Sequence, residues 1–177
     1  EVALELMPGN KIRKYDTWHA MGQGATTGSL VVTLEALKEM HLTPEDIQLI
    51  QNDTKTCPDT GMAGASRSLY MDGNATIIAA NKLLAAMRKE DGTLRTYDEM
   101  KAEGIETKYL GRYETNTTPG LCRLDPNTGI GDPTPAFTYC LNLAEVEVDT
   151  KTGKTTVLKF TCVDFVGRIG NIDAVNG

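Results

Sequence analysis

The chain has 177 residues, of which 40 % are hydrophobic, with a net charge of −6 and a pI near 5.0. That length can bury one substantial core, so one unit, or two tightly merged halves, is expected. The acidic balance leaves no basic stripe for phosphates, which argues against a nucleic-acid partner; an anionic ligand would have to be held by backbone amides and helix dipoles. No signal peptide is visible, and no apolar run approaches the roughly 18 residues of a membrane span. Cys57, Cys122, Cys140 and Cys162 are widely separated, with no zinc or iron–sulfur spacing. Nothing among them demands an oxidising compartment, so the expected location is the cytoplasm. A start on Glu1 with no initiator methionine, already in strand-like alternation, predicts a piece of something larger.

In chain order, Val2, Leu4 and Leu6 alternate with Glu1, Ala3 and Glu5, which predicts a strand with one buried face. Pro8-Gly9-Asn10 is a turn, and Lys11 to Ala20 returns as a second strand carrying Ile12, Tyr15 and Trp18. A helix follows from about Ala25 to Met40, with Leu30, Leu34 and Leu37 on one stripe. Thr43-Pro44-Glu45-Asp46 starts a short turn before a strand over Ile47 to Gln51. After a polar loop, a second long helix is predicted from about Ala65 to Lys89, burying Leu69, Ile77, Ala80, Leu84 and Met87. Gly73 in its middle predicts close approach of another backbone.

Thr96-Tyr97-Asp98-Glu99 is a capping box for a short helix ending near Gly104, and residues 105–113 read as an edge strand. Glu114 to Thr134 is a long irregular loop. Ala136 to Val148 and Thr155 to Val166 form a hairpin around Gly153, with Cys140 and Cys162 expected as buried free thiols. The order β-β-α-β-α and then a β-hairpin predicts an α/β (α+β) fold: a two-layer mixed sheet with helices on one face. Residues 1–177 are read as a single ligand-binding domain or subdomain.

The candidate chemistry lies in two glycine-rich turns, each opening a helix: Met21-Gly22-Gln23-Gly24-Ala25-Thr26-Thr27-Gly28 and Thr60-Gly61-Met62-Ala63-Gly64-Ala65-Ser66-Arg67-Ser68. Each places unpaired N–H groups, small side chains and hydroxyls at the positive end of a helix, where an anion binds with least special arrangement. Two such cradles fit a ligand with extended negative charge, such as a pyrophosphate-bearing cofactor. Gln23 offers both a donor and an acceptor beside a flat heterocycle. Thr26 and Thr27 could cap the helix as well as bind. Ser66 and Ser68 could donate to phosphate, and Arg67 could pair with it bidentately or stay a solvated charge.

The Gly22-x-Gly24-x-x-x-Gly28 spacing resembles a dinucleotide fingerprint, but Lys11-Ile12-Arg13-Lys14-Tyr15-Asp16 is too charged for the buried first strand of a Rossmann unit. His19 and His41 lack partners at metal-ligand spacing, and Asp53, Asp59 and Asp72 form no recognisable acid/base pair. No serine elbow or Walker lysine is present. No catalytic residue and no protein metal ligand is therefore assigned.

Taken together, Met21 to Gly24, Asn52-Asp53-Thr54, Cys57 to Gly61, Ala63 to Ser68, Gly73-Asn74-Ala75, Tyr139 to Asp149 and Val163 to Gly167 resemble the molybdenum-binding region of the large subunit of molybdenum hydroxylases, the xanthine dehydrogenase and aldehyde oxidoreductase family. The detailed sequence, including Leu94 to Lys101, is most similar to the FAD-independent group that oxidises aldehydes. The resemblance implies molybdopterin, in its cytosine dinucleotide form, with molybdenum held by the pterin. Gly22, Gln23, Gly24, Ala25, Thr26 and Thr27 would contact the pterin and pyrophosphate, Ala65 would approach the metal's ligand sphere, and Ser66, Arg67, Ser68 and Leu69 would continue the contacts. It further implies oxidation of an aldehyde to a carboxylic acid with oxygen from water. The family's glutamate base and its iron–sulfur clusters would lie in the remainder of the large subunit, in an enzyme that is a homodimer. By the same resemblance the chain alone would not turn over aldehyde.

Two other readings stand beside this one. One is a non-enzymatic binding or assembly module with the glycines as plain turns; the other is a different molybdenum hydroxylase, such as a xanthine dehydrogenase. A nicotinamide-binding domain is a weaker third.

Overall fold

Alternation along the first two strands sorts their side chains onto two faces. In β1 (Val2–Met7), Val2, Leu4 and Leu6 are fully buried; in β2 (Lys11–Asp16), Ile12, Lys14 and Asp16 share that face. The computed structural model describes residues 1–51, 53–61, 63–64, 67–115, 124–132 and 137–176. The chain divides into two units, Glu1–Thr115 with Gly170–Gly177, and Asn116–Ile169.

In the first unit, β1 and β2 pair antiparallel across the turn Pro8–Asn10, whose Gly9 and Asn10 take positive φ of 74° and 58°. β2 ends at Asp16, four residues short of the predicted Ala20. It leads into α1 (Ala25–Ala36), which crosses back to β3 (Ile47–Gln51), and β3 lies parallel to β2. A turn at Lys38–Met40 replaces the last part of the predicted first helix. Next comes α2 (Arg67–Met87), and β4 (Lys108–Gly111) pairs antiparallel with β1 at the far edge. The strand order is β3-β2-β1-β4, a four-stranded mixed sheet, as the alternation implied. Between α2 and β4, α3 (Tyr97–Ala102) starts at a complete capping box: Thr96 accepts from Glu99 N, and Glu99 Oε2 accepts from Thr96 N at 2.7 Å.

Both long helices pack on the face that carries Val2, Leu4, Leu6 and Ile12. The buried stripe of α2 differs from expectation. Ala80, Leu84 and Met87 are buried as predicted, but Leu69 and Ile77 are 53 % and 46 % exposed. The stripe is centred instead on Asp72, Thr76, Ala79 and Leu83, and two of those four are polar. A hydrophobicity pattern rotates the face away from polar residues and so misplaces it by about one position. Gly73 faces the Val32 side chain of α1, not another backbone. The close backbone approach is at Gly111, where an added Cβ would lie 1.9 Å from Ala75 O.

In the second unit, β5 (Tyr139–Val148) and β6 (Thr155–Phe165) form an antiparallel ribbon with a bulge between Glu145 and Val146. Gly153 takes the left-handed conformation (φ 74°) in the connecting turn, and Asp149 Oδ1 accepts from Lys151 N at 2.8 Å. Cys140 and Cys162 were expected to be buried; both are exposed, because the ribbon carries no second layer among its own residues. Residues 116–123 and 133–134 of the predicted loop Glu114 to Thr134 lie outside the described residues. Its described part closes on Asp125, which accepts from Asn127 N at 2.7 Å. No helix among the described residues is long and apolar enough to cross a membrane.

Candidate functional site

The parallel pairing of β2 and β3 decides where the two glycine-rich turns lie. Asp16 and Gln51, the last residues of these strands, are register partners, so both chains leave the sheet side by side at its carboxyl edge. That edge is where ligands bind in α/β sheets. The segment after β2 makes the first turn and enters α1; the segment after β3 makes the second and enters α2. Thr17, just after β2, ties its segment to the one that follows β3: its hydroxyl donates to Pro58 O at 3.4 Å and meets the hydroxyl of Thr60, where the second turn begins.

The helices then run in the same direction. Gly28 of α1 faces Leu69 of α2, and one turn later Val32 faces Gly73, the same sequence offset in both pairs. Two amino-terminal ends therefore open at one end of the layer, and their dipoles add there. Neither helix has an acidic residue in its first turn, which would compete with an anion.

Within the first turn, Gly22 and Gly24 have φ of 102° and 82°, and a Cβ on either would meet nothing within 4 Å. Gly24 is the N-cap of α1 and has no side chain to satisfy the amides ahead of the first helical bond, Gly28 N to Gly24 O. The Gln23 side chain folds onto its own turn, accepting from Met21 N at 2.5 Å and donating to His19 O at 3.4 Å. Ala25 is half-buried; Thr26 and Thr27 are exposed, with Thr26 Oγ1 donating to Gln51 Oε1 at 3.1 Å. In the second turn, Arg67 N bonds to Gly64 O at 3.1 Å, Arg67 and Ser68 are half-buried, and Leu69 is exposed toward Gly28. Ala65 and Ser66 lie outside the described residues. Asp53 and Asp59 hold backbone turns, accepting from Lys55 N at 2.9 Å and Gly61 N at 2.8 Å.

The family whose description is "Molybdopterin cofactor-binding domain" matches residues 1–177. The chain belongs to this family of molybdopterin cofactor-binding domains. The aldehyde oxidoreductase of Megalodesulfovibrio gigas is 37 % identical over 177 residues, which is 100 % of this chain and 19 % of that protein. The crystal structure of the aldehyde oxidoreductase from Desulfovibrio desulfuricans superposes with a TM-score of 0.91 at 40 % identity, covering 99 % of this chain and 19 % of that one. The xanthine dehydrogenase of Dictyostelium discoideum is 26 % identical over 152 residues, 83 % of this chain and 11 % of that protein. The chain thus spans about a fifth of the length of the first relative it matches.

Beneath the turns lies a buried polar cluster that sequence reasoning missed. Lys14 is fully buried and donates to Asp72 Oδ2 and Thr76 Oγ1, each at 2.8 Å, with Asp16 Oδ2 at 3.7 Å. Ser29 Oγ donates to Asp16 Oδ2 at 3.1 Å, which leaves Asp72 Oδ1 buried with no partner among the described residues. Burial raises the Asp72 carboxyl above its ordinary pKa; the Lys14 charge opposes that rise and the Asp16 charge adds to it. The available signal was the two-residue spacing Ile12, Lys14, Asp16, which put both charges on the strand's buried face.

Proposed function

We propose that this chain holds molybdopterin, in its cytosine dinucleotide form, for a molybdenum-dependent aldehyde oxidoreductase. The single observation that carries the reading is the shared opening of α1 and α2, which aims two sets of helix amides at one region, with no acidic residue in the first turn of either helix. The residues fit the group. Open space beyond Gly22 and Gly24 lets a diphosphate approach their backbone, Thr27, Ser68 and Arg67 add hydroxyl and guanidinium donors, and Thr26, whose hydroxyl donates to Gln51, offers its backbone amide. Gln23 would turn its amide from its own loop to the ligand, Ala25 and Leu69 would supply apolar contact, and Ala65 and Ser66 would complete the second cradle.

When bound, the cofactor supplies the redox chemistry that oxidises an aldehyde to an acid with oxygen from water. This chain's residues bind and orient the anionic part of the group and hold its position at the carboxyl edge of the sheet. The catalytic glutamate, the iron–sulfur clusters and the aldehyde pocket are assigned to the rest of the polypeptide. The second unit supports such a partner: Tyr139, Leu141 and Phe160 are 71 %, 67 % and 62 % exposed, and a two-stranded ribbon needs a covering layer. Cross-strand pairing puts Tyr139, Leu141, Val163 and Phe165 on one face and Ala144, Phe160, Val146 and Val157 on the other, so both faces would be covered. The enzyme is further proposed to be a cytoplasmic homodimer; the free thiols Cys57, Cys140 and Cys162 accord with a reducing compartment.

The experiment is to prepare the full-length protein with Gln23→Ala and, separately, Ala65→Leu, and to measure molybdenum, pterin and aldehyde oxidation with a dye acceptor. Both variants should lose cofactor or activity. Normal cofactor content and normal rate in both would overturn the reading. Greater identity to the two aldehyde oxidoreductases than to the xanthine dehydrogenase favours aldehydes over heterocycles as substrates.

A further inference from the structure

At the end of the sheet from which the glycine-rich turns depart, the core changes from apolar to polar. Ile12 and Ile47 are register partners at the opposite end of β2 and β3; at this end the partners are Asp16 and Gln51. Each hydrogen-bonding atom of the Gln51 amide is used there. Oε1 accepts from Thr26 Oγ1 at 3.1 Å, in the first turn of α1, and Nε2 donates to Asp16 Oδ1 at 2.8 Å and reaches Trp18 O at 3.4 Å. Asp16 Oδ1 also accepts from Trp18 N at 3.2 Å, and its Oδ2 accepts from Ser29 at 3.1 Å. The same Oδ2 lies 3.7 Å from Lys14 Nζ, which bonds to Asp72 and Thr76 of α2. A continuous path therefore runs from the first turn of α1, through the ends of two parallel strands, to the second and third turns of α2.

We propose that Asp16 and Gln51 are positioning residues that hold the two ligand-facing turns at one spacing, with Lys14 carrying the link from Asp16 to α2. This rests on the reading of the turns as the cofactor cradle. Buried ion pairs are poor sources of net stability, and an apolar layer of the same volume would serve the fold as well or better. A fully used amide between a carboxylate and a helix hydroxyl instead fixes direction: its Nε2 end must face the Asp16 carboxylate, which only accepts, and its Oε1 end is left to accept from Thr26 Oγ1. Glutamate at 51 accepts from Thr26 but cannot donate to Asp16, and it faces that carboxylate with a like charge.

The test uses the full-length protein carrying Gln51→Glu, with Ser29→Ala as a gentler second variant that removes one donor to Asp16 and keeps the core nearly full. Amide hydrogen exchange is followed without cofactor for residues 19–27, 67–72 and, as a reference, 96–103; molybdenum and pterin are measured after expression with cofactor. Gln51→Glu should speed exchange in residues 19–27 about tenfold or more, leave 96–103 unchanged and lower cofactor content several-fold, with Ser29→Ala intermediate. Unchanged exchange in 19–27 in both variants, or loosening spread equally to 96–103, overturns the proposal. Gln23→Ala is the arm for the underlying reading: it should lose cofactor without loosening residues 67–72. Full cofactor retention in Gln23→Ala, with Gln51→Glu still loosening the turn, would sink the cradle reading and leave the bridge standing as a structural one.

Discussion

Gly28 in α1 stands opposite Leu69 in α2, so close that a Cβ on the glycine would lie 3.0 Å from Leu69 Cδ1. This pair sets how near the two helix openings come to each other. Leu69 is half-exposed and its methyl group can swing aside, whereas alanine gains about 1 kcal/mol over glycine in a helix interior. Gly28→Ala should therefore leave the thermal midpoint unchanged or raise it slightly. Gly28→Leu should push the openings apart and lower cofactor content; a normal content in that variant would mean the spacing does not matter.

Gly111 behaves oppositely. Its missing Cβ is replaced by backbone, Ala75 O at 1.9 Å and Ala79 N at 2.7 Å, and α2 cannot yield there without leaving the sheet. Gly111→Ala should cost on the order of 3 kcal/mol in urea denaturation, at the upper end of overpacking effects. A loss under about 1 kcal/mol would show that β4 shifts freely at the edge.

The buried cluster separates two carboxylates by their partners. Asp16 receives three hydrogen bonds, from Trp18 N, Ser29 and Gln51, whereas Asp72 receives one from Lys14 and keeps Oδ1 unpartnered. Lys14→Met, which strands both carboxylates, should cost about 3–5 kcal/mol. Asp72→Asn should be distinctly milder than Asp16→Asn. Because burial chiefly raises the Asp72 pKa, the folded chain binds this proton more tightly than the unfolded one. Its contribution is greatest below the unfolded value of 3.8 and declines as pH rises from there through the folded value. Asp72→Asn should flatten that decline in a series of denaturation curves; an unaltered slope would assign it to other groups.

Glu99 carries the opposite sign. Its carboxylate accepts from Lys89 Nζ at 2.6 Å and from Thr96 N at 2.7 Å, which hold its pKa down at about 2. The capping contribution is thus present above about pH 4.5 and is lost as pH falls toward 2. Amide exchange in α3 should rise through that window in the native chain, and Glu99→Gln should remove the pH dependence. Equal profiles in the two proteins would contradict this assignment.

Much of the first unit was legible from its residues because local rules and tertiary packing agree there. The alternation of Val2, Leu4 and Leu6, the turn at Pro8-Gly9-Asn10 and the capping box at Thr96 each specify one local conformation, and each forms. The first glycine turn was visible for the same reason, since the φ values of 102° and 82° at Gly22 and Gly24 suit little but glycine, as does 74° at Gly61 before the second helix. The cluster under them was hidden because Lys14, Asp16 and Asp72 read as surface charges until a fold brings them together. Leu69 and Ile77 were misplaced by the same effect, as polar Asp72 and Thr76 occupy the inner face that apolar residues were expected to fill. Gly111 gave no signal at all, because its constraint comes from α2, some thirty residues earlier in the chain.

Paired helix openings that hold an anionic cofactor would be seen in a crystal structure of the full-length protein with bound molybdopterin. Phosphate oxygens within hydrogen-bond distance of the amides of Gly22 to Thr27, with the same ligand reaching the start of α2, are the expected result. A cofactor seated away from both turns, with Gln23 still folded onto Met21 N, would contradict it.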